Sequence, residues 1–273
     1  MSTGTVEPGL STGPSAAETT AGSVGGPPRR REGRIIGWTN LITPLVVVVV
    51  GVGLYLWVSG RSLDTIESNI LNRTNLVRAT SQHVYVSVTI AVLVLLVSVP
   101  LGVVVTRRRT RWLAPGVLVV ANIGQSAPSL GLLALVGIFA IGFWPVVLIL
   151  TAYSSLSVLR NTIVGLEGID PGVLDACRGM GMSPAAILFQ VELPLAVPVI
   201  AAGARTALVL AVGTVPLGYA LNAGGLGLPL FGAIKTNRPV ATLTIAVMIA
   251  LLALVMDWLG GVLQRATTPR GIR

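Results

Sequence analysis

The chain of 273 residues contains one cysteine, Cys177, and one histidine, His83. A single cysteine closes no internal disulfide, and the two residues together make no multi-ligand metal site. They are also far apart in sequence, and no nucleophile–base pair is visible, which argues against an intramembrane enzyme. Charge is scarce as well. Only 11% of residues are Asp, Glu, Lys or Arg, against roughly 25% in a soluble domain. Too little charge remains to cover a water-facing surface, so a soluble enzyme is excluded. Ten acidic residues stand against nineteen basic ones, a formal charge of +9. Such a balance suggests nucleic acid, but the arginines stand at the ends of apolar runs and line no polar face, so no nucleic-acid partner is expected. Aromatic residues make up 5%. The five tryptophans, Trp38, Trp57, Trp112, Trp144 and Trp258, all fall near the ends of apolar runs, where interface anchoring explains them better than a ligand cage.

What the chain has is apolar length: 53% of residues are hydrophobic and the mean hydropathy is +0.83. Residues 1–34 are rich in Gly, Ser, Thr, Pro and Ala and close on Arg29-Arg30-Arg31-Glu32-Gly33-Arg34. They read as a disordered cytoplasmic tail. The polar lead is too long for a cleavable signal peptide. Six apolar runs follow: about Ile35–Ser59, Val84–Thr106, Ala114–Ile141, Trp144–Leu159, Ala196–Leu221 and Pro239–Leu263. Spanning a bilayer takes about 20 residues. Five runs meet that length, and the fourth is expected to borrow from Arg160 to Gly165. The division is a tail at 1–34, a first span and outer loop at 35–83, a core at 84–265 and a short cytoplasmic tail at 266–273.

Six spans put both termini on one side. Fourteen arginines, among them Arg107, Arg108, Arg109, Arg111, Arg160, Arg178 and Arg205, fall on one face; Arg61, Arg73, Arg78, Lys235 and Arg238 fall on the other. The positive-inside rule then places both termini in the cytoplasm of a multi-pass membrane protein.

The connection between the fourth and fifth runs, about residues 166–195, is longer than a bundle needs. It carries Glu167, Asp170, Asp175 and Glu192, four of the ten acids. Asp170-Pro171 is an N-cap followed by proline at the first helical position. Gly179-Met180-Gly181 supplies a stop, and Ser183-Pro184 repeats the start. Two short helices outside the membrane are expected, serving either as an amphipathic hairpin against the protein's own bundle or as a docking surface for a partner.

Asp175-Ala176-Cys177, three residues, Gly181, nine residues, then Val191-Glu192-Leu193-Pro194 resembles the "EAA" signature of ABC importer permeases. Every spacing matches; Asp175 stands for Glu and Cys177 for Ala. Outside the loop, residues 121–130, Leu159-Arg160-Asn161-Thr162, Arg205-Thr206-Ala207 and Gly224-Gly225-Leu226-Gly227 look like the osmoprotectant (glycine betaine, carnitine, choline) permeases. The resemblance implies an all-α membrane protein of about six transmembrane helices, with the type I ABC importer permease fold and a cytoplasmic coupling-helix loop. It implies a second permease copy or paralogue, a cytoplasmic ABC ATPase dimer and an extracytoplasmic substrate-binding protein as partners, with surrounding membrane lipid. No cofactor is expected in this chain, since ATP and Mg would sit on the ATPase. By the same resemblance Asp175, Ala176, Cys177, Gly181, Val191, Leu193 and Pro194 form the ATPase-coupling loop. A side chain at Gly181 is expected to clash or to misdirect the docking helix.

Polar residues within spans face the bundle interior or a water-filled path. Asn122, Gln125, Ser126 and Ser129 recur at offsets of three, four and seven, one helical stripe. They are candidates for a translocation path, or else for interhelical hydrogen bonding. Pro128 breaks that helix. Asp257, the acid of the last run, is a possible partner for Arg205 or for an arginine at the end of the second run. His83 is expected at the outer interface. Gly224-Gly225-Leu226-Gly227 is no phosphate loop, because no lysine follows the second glycine of the interval Gly227–Gly232. The leading expectation is an importer permease for an osmoprotectant. The alternatives are the same importer class for an amino acid or amino-acid betaine, and a non-transport membrane anchor or signalling protein.

Overall fold

The structure is a computed structural model that describes residues 38–267. The expected tail at 1–34 and the last residues of the C-terminal tail lie outside the described residues. All regular structure among the described residues is helical. Five helices are long and apolar enough to cross a membrane, and a bent pair brings the number to six if counted as one span.

Helix α1 (Trp38–Ser59) carries no charged residue and packs mainly along α11 (Pro239–Thr267). A short helix, α2 (Thr65–Ile70), follows. Asp64 caps it, its Oδ1 accepting the Glu67 N–H at 2.7 Å, while its other oxygen pairs with Arg238 at 2.5 Å. Helix α3 (Arg73–Thr106) begins eleven residues before the expected Val84. Its 34 residues make about 51 Å, more than a hydrocarbon core of about 30 Å requires. Its buried residues His83, Val86, Ser87, Ile90, Val94, Ser98, Gly102 and Val105 recur every three or four positions, save the adjacent Val86 and Ser87, and define one face.

The third apolar run is not one straight span. It forms α4 (Ala114–Ser126) and α5 (Ser129–Gly137), which meet at 89°. Pro128 has no N–H to continue the ladder and disfavours helical backbone at Ala127, which sits at ψ 142°. Helix α6 (Phe143–Glu167) borrows the expected residues and runs 25 in all. After α7 (Pro171–Gly179) and α8 (Pro184–Ile187), the chain passes through a π-helical segment, Leu188–Glu192, into α9 (Leu193–Thr214). A 3₁₀ stretch, Val215–Leu221, and α10 (Gly227–Lys235) lead to α11.

The core lies where α3, α6 and α9 meet. Val86, Ile90 and Val94 of α3, Val146, Val147, Leu150 and Val158 of α6, and Ala207 and Ala211 of α9 are buried together. In lipid this association rests on close packing rather than on escape from water. Small residues permit it: a Cβ on Gly102 would lie 2.6 Å from Thr162 Cγ2, and one on Gly203 2.9 Å from the Ser157 carbonyl oxygen.

Candidate functional site

The loop after α6 folds as its caps dictate. Asp170 Oδ1 accepts the Gly172 N–H at 2.8 Å and Pro171 opens α7. At the other end the Gly181 N–H donates to the Arg178 carbonyl at 2.9 Å and the Met182 N–H to the Cys177 carbonyl at 3.1 Å. This is a Schellman closure with Gly181 in the left-handed region, φ +79°. A Cβ at Gly181 would meet nothing within 4 Å, so the expected clash is absent. Glycine is required there by backbone conformation alone.

Helix α7 is amphipathic against the bundle. Leu174 packs on the cluster of Leu166, Ile169, Ala196 and Ile200, and Cys177 is buried at 6% exposure. Asp175, Ala176 and Met180 face outward, and Asp175 pairs with Arg178 at 2.5 Å on the exposed surface. Within the motif, then, Asp175 and Ala176 present the outer face while Cys177 anchors the inner one.

The second half of the loop departs from the expectation of a separate short helix. Ser183 caps α8, its Oγ accepting the Ala186 N–H at 3.2 Å, but the helix continues through the π segment and the span as far as Leu221. Val191, Leu193 and Pro194 are half-buried at this passage. Glu192, one of the four loop acids, points inward and receives the Arg107 guanidinium at 2.6 Å. No single-sequence signal pairs two residues so far apart.

Of the path candidates, Asn122, Gln125 and Ser126 share α4, but Ser129 begins α5 across the 89° bend, so the four do not form one stripe. Asn122 Oδ1 accepts from Arg160 Nη2 at 2.7 Å, and its Nδ2 donates to the Leu118 carbonyl at 2.6 Å. Ser126 Oγ donates to the Ile123 carbonyl at 2.9 Å. Arg160 lies seven residues inside the end of α6 and is exposed. An apolar cavity of about 650 Å³ opens between α3, α4 and α6, lined by Ser98, Ala121, Gly124 and Tyr153. None of the four candidates lines it.

Arg205 and Asp257 are partners: Nε to Oδ1 at 2.5 Å, with Nη2 on Oδ2, a bidentate clamp between α9 and α11. His83 is not interfacial. It is fully buried, its Nε2 donates to the Val212 carbonyl at 2.9 Å, and its Nδ1 accepts the Leu226 N–H at 3.3 Å. The clue lay in its place on the stripe with Ser87, Ile90 and Val94. Beside it a cleft of about 780 Å³ separates the first turns of α3 from the loop before α10.

Comparison with known proteins accords with this geometry. Residues 98–269 match the family described as binding-protein-dependent transport system inner membrane component. The osmoprotectant import permease protein OsmW of Salmonella typhimurium is 38% identical, over 77% of this chain and 100% of that protein. The glycine betaine/carnitine/choline transport system permease protein OpuCB of Bacillus subtilis is 35% identical over 74% and 93%. Among solved structures, an inward-facing form of the MetNI methionine ABC transporter superimposes with a TM-score of 0.64 at 26% identity, covering 71% of this chain and 96% of that one. The long apolar helices are thus arranged as in the type I ABC importer fold, and the chain belongs to the inner membrane components of binding-protein-dependent transport systems.

Proposed function

We propose that this chain is the translocating subunit of an ATP-driven importer for an osmoprotectant such as glycine betaine, choline or carnitine. The observation that carries the reading is α7. It is a short helix outside the membrane, closed by Gly181, with Asp175, Ala176 and Met180 facing outward; Leu174 packs it on Ala196 and Ile200 of α9, and past the Gly181 turn the chain runs as one helical path from Pro184 into that span. A partner that moves α7 therefore moves a transmembrane helix. The partner in this reading is an ABC ATPase dimer in the cytoplasm, which holds ATP and Mg. A second copy of the permease or a paralogue completes the pore, and a substrate-binding protein delivers the solute from outside. Both termini face the cytoplasm of the bacterial plasma membrane, on the side of the arginine-rich ends.

The path reading rests on Arg160 and Asn122. Arg160 lies toward the cytoplasmic end of α6, exposed and bonded to Asn122, and so favours a water-accessible surface over lipid. With Gln125 and Ser126 on the same helix as Asn122, the pair supports a polar surface that a second permease closes into a water-filled route, with Ser129 at its bend. The substrate follows from the names of the relatives. The likeness to a methionine transporter keeps an amino acid as the second reading.

The test is uptake of labelled glycine betaine and choline by cells at high osmolarity, with the permease gene deleted and its partner genes present. Loss of saturable uptake, restored by the wild-type chain and not by Gly181→Val, is the expected result. Undiminished uptake of both solutes, in cells with no redundant osmolyte system, removes the osmoprotectant substrate. Gain or loss of methionine uptake then decides for the second reading.

A further inference from the structure

The cleft beside His83 has a lining that its position alone does not require. The extended first turns of α3 present Asn75, Arg78, Gln82 and Tyr85 along one wall, at spacings of three and four residues. Phe143 at the start of α6 and Asn222 from the opposite loop also border the cleft. The opposite wall is held in place. Gly225 donates its N–H to Gln82 Oε1 at 3.4 Å, and Leu226 donates to buried His83. The cleft is therefore built, with both walls tied to the same turn of α3.

Its chemistry is that of a zwitterion's complement. Among the described residues the Arg78 guanidinium has no ion-pair partner, and no carboxylate lines the cleft. Tyr85 and Phe143 stack with ring centroids 5.6 Å apart, and Tyr85 is 65% exposed. Other aromatics on this side already carry a cation: Arg61 lies over Trp57 at 5.1 Å and Lys235 over Tyr219 at 5.4 Å. The Tyr85–Phe143 pair carries none among the described residues. Two helical turns, about 10.5 Å along the axis, separate the backbone of Arg78 from that of Tyr85, a span that a flexible guanidinium shortens.

We propose that this cleft is a receiving site for a betaine on the extracytoplasmic side, with the carboxylate on Arg78 and the quaternary ammonium against the Tyr85–Phe143 face. It rests on the osmoprotectant reading above and sharpens it. A site with a free cation and no carboxylate favours substrates that carry a carboxylate, such as glycine betaine and carnitine, over choline, which has none.

The test uses the whole transporter in proteoliposomes, driven by internal ATP, with liganded binding protein supplied outside. Arg78→Gln is expected to lower maximal uptake of glycine betaine roughly tenfold, the scale of one charge-assisted contact, while choline uptake is unchanged or faster. Tyr85→Leu is expected to lower both, also by roughly tenfold, and Tyr85→Phe to restore both to within about twofold, because the ring is kept. Arg78 and Tyr85 are exposed, so these variants leave folding intact. Equal losses for the two substrates with Arg78→Gln, accompanied by a higher half-saturating concentration of binding protein, overturn the proposal and make Arg78 a docking contact. No loss with either variant overturns it too, with the osmoprotectant reading still standing. A wild-type complex that moves neither solute removes that reading, and the cleft's role with it.

Discussion

The Arg107 guanidinium, one residue past the end of α3, grips the Glu192 carboxylate at 2.6 Å and so fastens the π segment before α9 to the second long span. Arg107 is itself braced by donating to the Val103 carbonyl at 3.2 Å. The Glu192 side chain is 12% exposed and that of Arg107 38%. The pair thus sits between a surface bridge, which contributes little, and a buried one, which is costly to break.

Glu192→Ala is expected to destabilise the protein by about 1–3 kcal/mol, since it strands a half-buried cation. A double-mutant cycle with Arg107→Ala, read by thermal unfolding in detergent, should give a coupling of about 1–2 kcal/mol. A coupling near zero would mean that the contact fastens nothing.

Gly181 should rank its substitutes by backbone freedom and not by size. Asn, which tolerates the left-handed region, is expected to keep most uptake. Ala should lose more, at about 1–2 kcal/mol of strain, and Val, β-branched, more again. Uptake measured across the three variants at matched membrane levels decides the point. Wild-type uptake by Gly181→Val would remove the left-handed turn from the mechanism.

The Arg205–Asp257 clamp is bidentate, so charge alone does not replace it. Arg205→Lys is expected to lower the unfolding midpoint, because an ammonium cannot match both carboxylate oxygens. Asp257→Asn should lower it too, through a destabilisation of about 1–3 kcal/mol. Gly261→Val is expected to mimic both, as a Cβ there would sit 3.2 Å from Arg205 Nη1. Midpoints unchanged in all three would show that α9 and α11 hold together without the clamp.

His83 uses both ring nitrogens on backbone groups. His83→Leu would leave the Val212 carbonyl and the Leu226 N–H without their partner, at about 1–3 kcal/mol for each group left unpaired. Limited proteolysis from outside should then cut at the Gly224-Gly225 loop sooner than in the wild type. His83→Gln, which can serve one of the two groups, should fall between. An equally protected loop in His83→Leu would contradict the tether.

Much of this architecture is written in local pattern. The apolar runs announce α1, α3, α6, α9 and α11, because burial in lipid demands length and little else. Asp170-Pro171, Ser183-Pro184 and Gly181 announce the loop helix, since capping is a contest among neighbouring residues. What stays hidden depends on groups distant in sequence. The partners of Arg107, Arg205 and Asn122 are 85, 52 and 38 residues away, and only packing selects them. The short helices α2 and α10 carry too few residues for a period to show. His83 reads as interfacial by its position next to polar residues, yet its stripe belongs to the core. Pro128 signals a break, but the size of the bend is set by how α5 packs against α6 and the 3₁₀ stretch.

The helical path from Pro184 to Leu221 is continuous, passing from a π segment through α-helix to a 3₁₀ end. Its 38 residues measure about 57 Å at 1.5 Å each, so a tilt of ~5° at one end sweeps the other through ~5 Å. One end adjoins α7, and the other delivers Asn222 and Gly224 to the wall of the cleft beside His83. Displacing the first by a few degrees shifts that wall by about the width of a small solute. In the proposed importer, a push on the loop and a shift of the cleft wall are then the two ends of one continuous helical path.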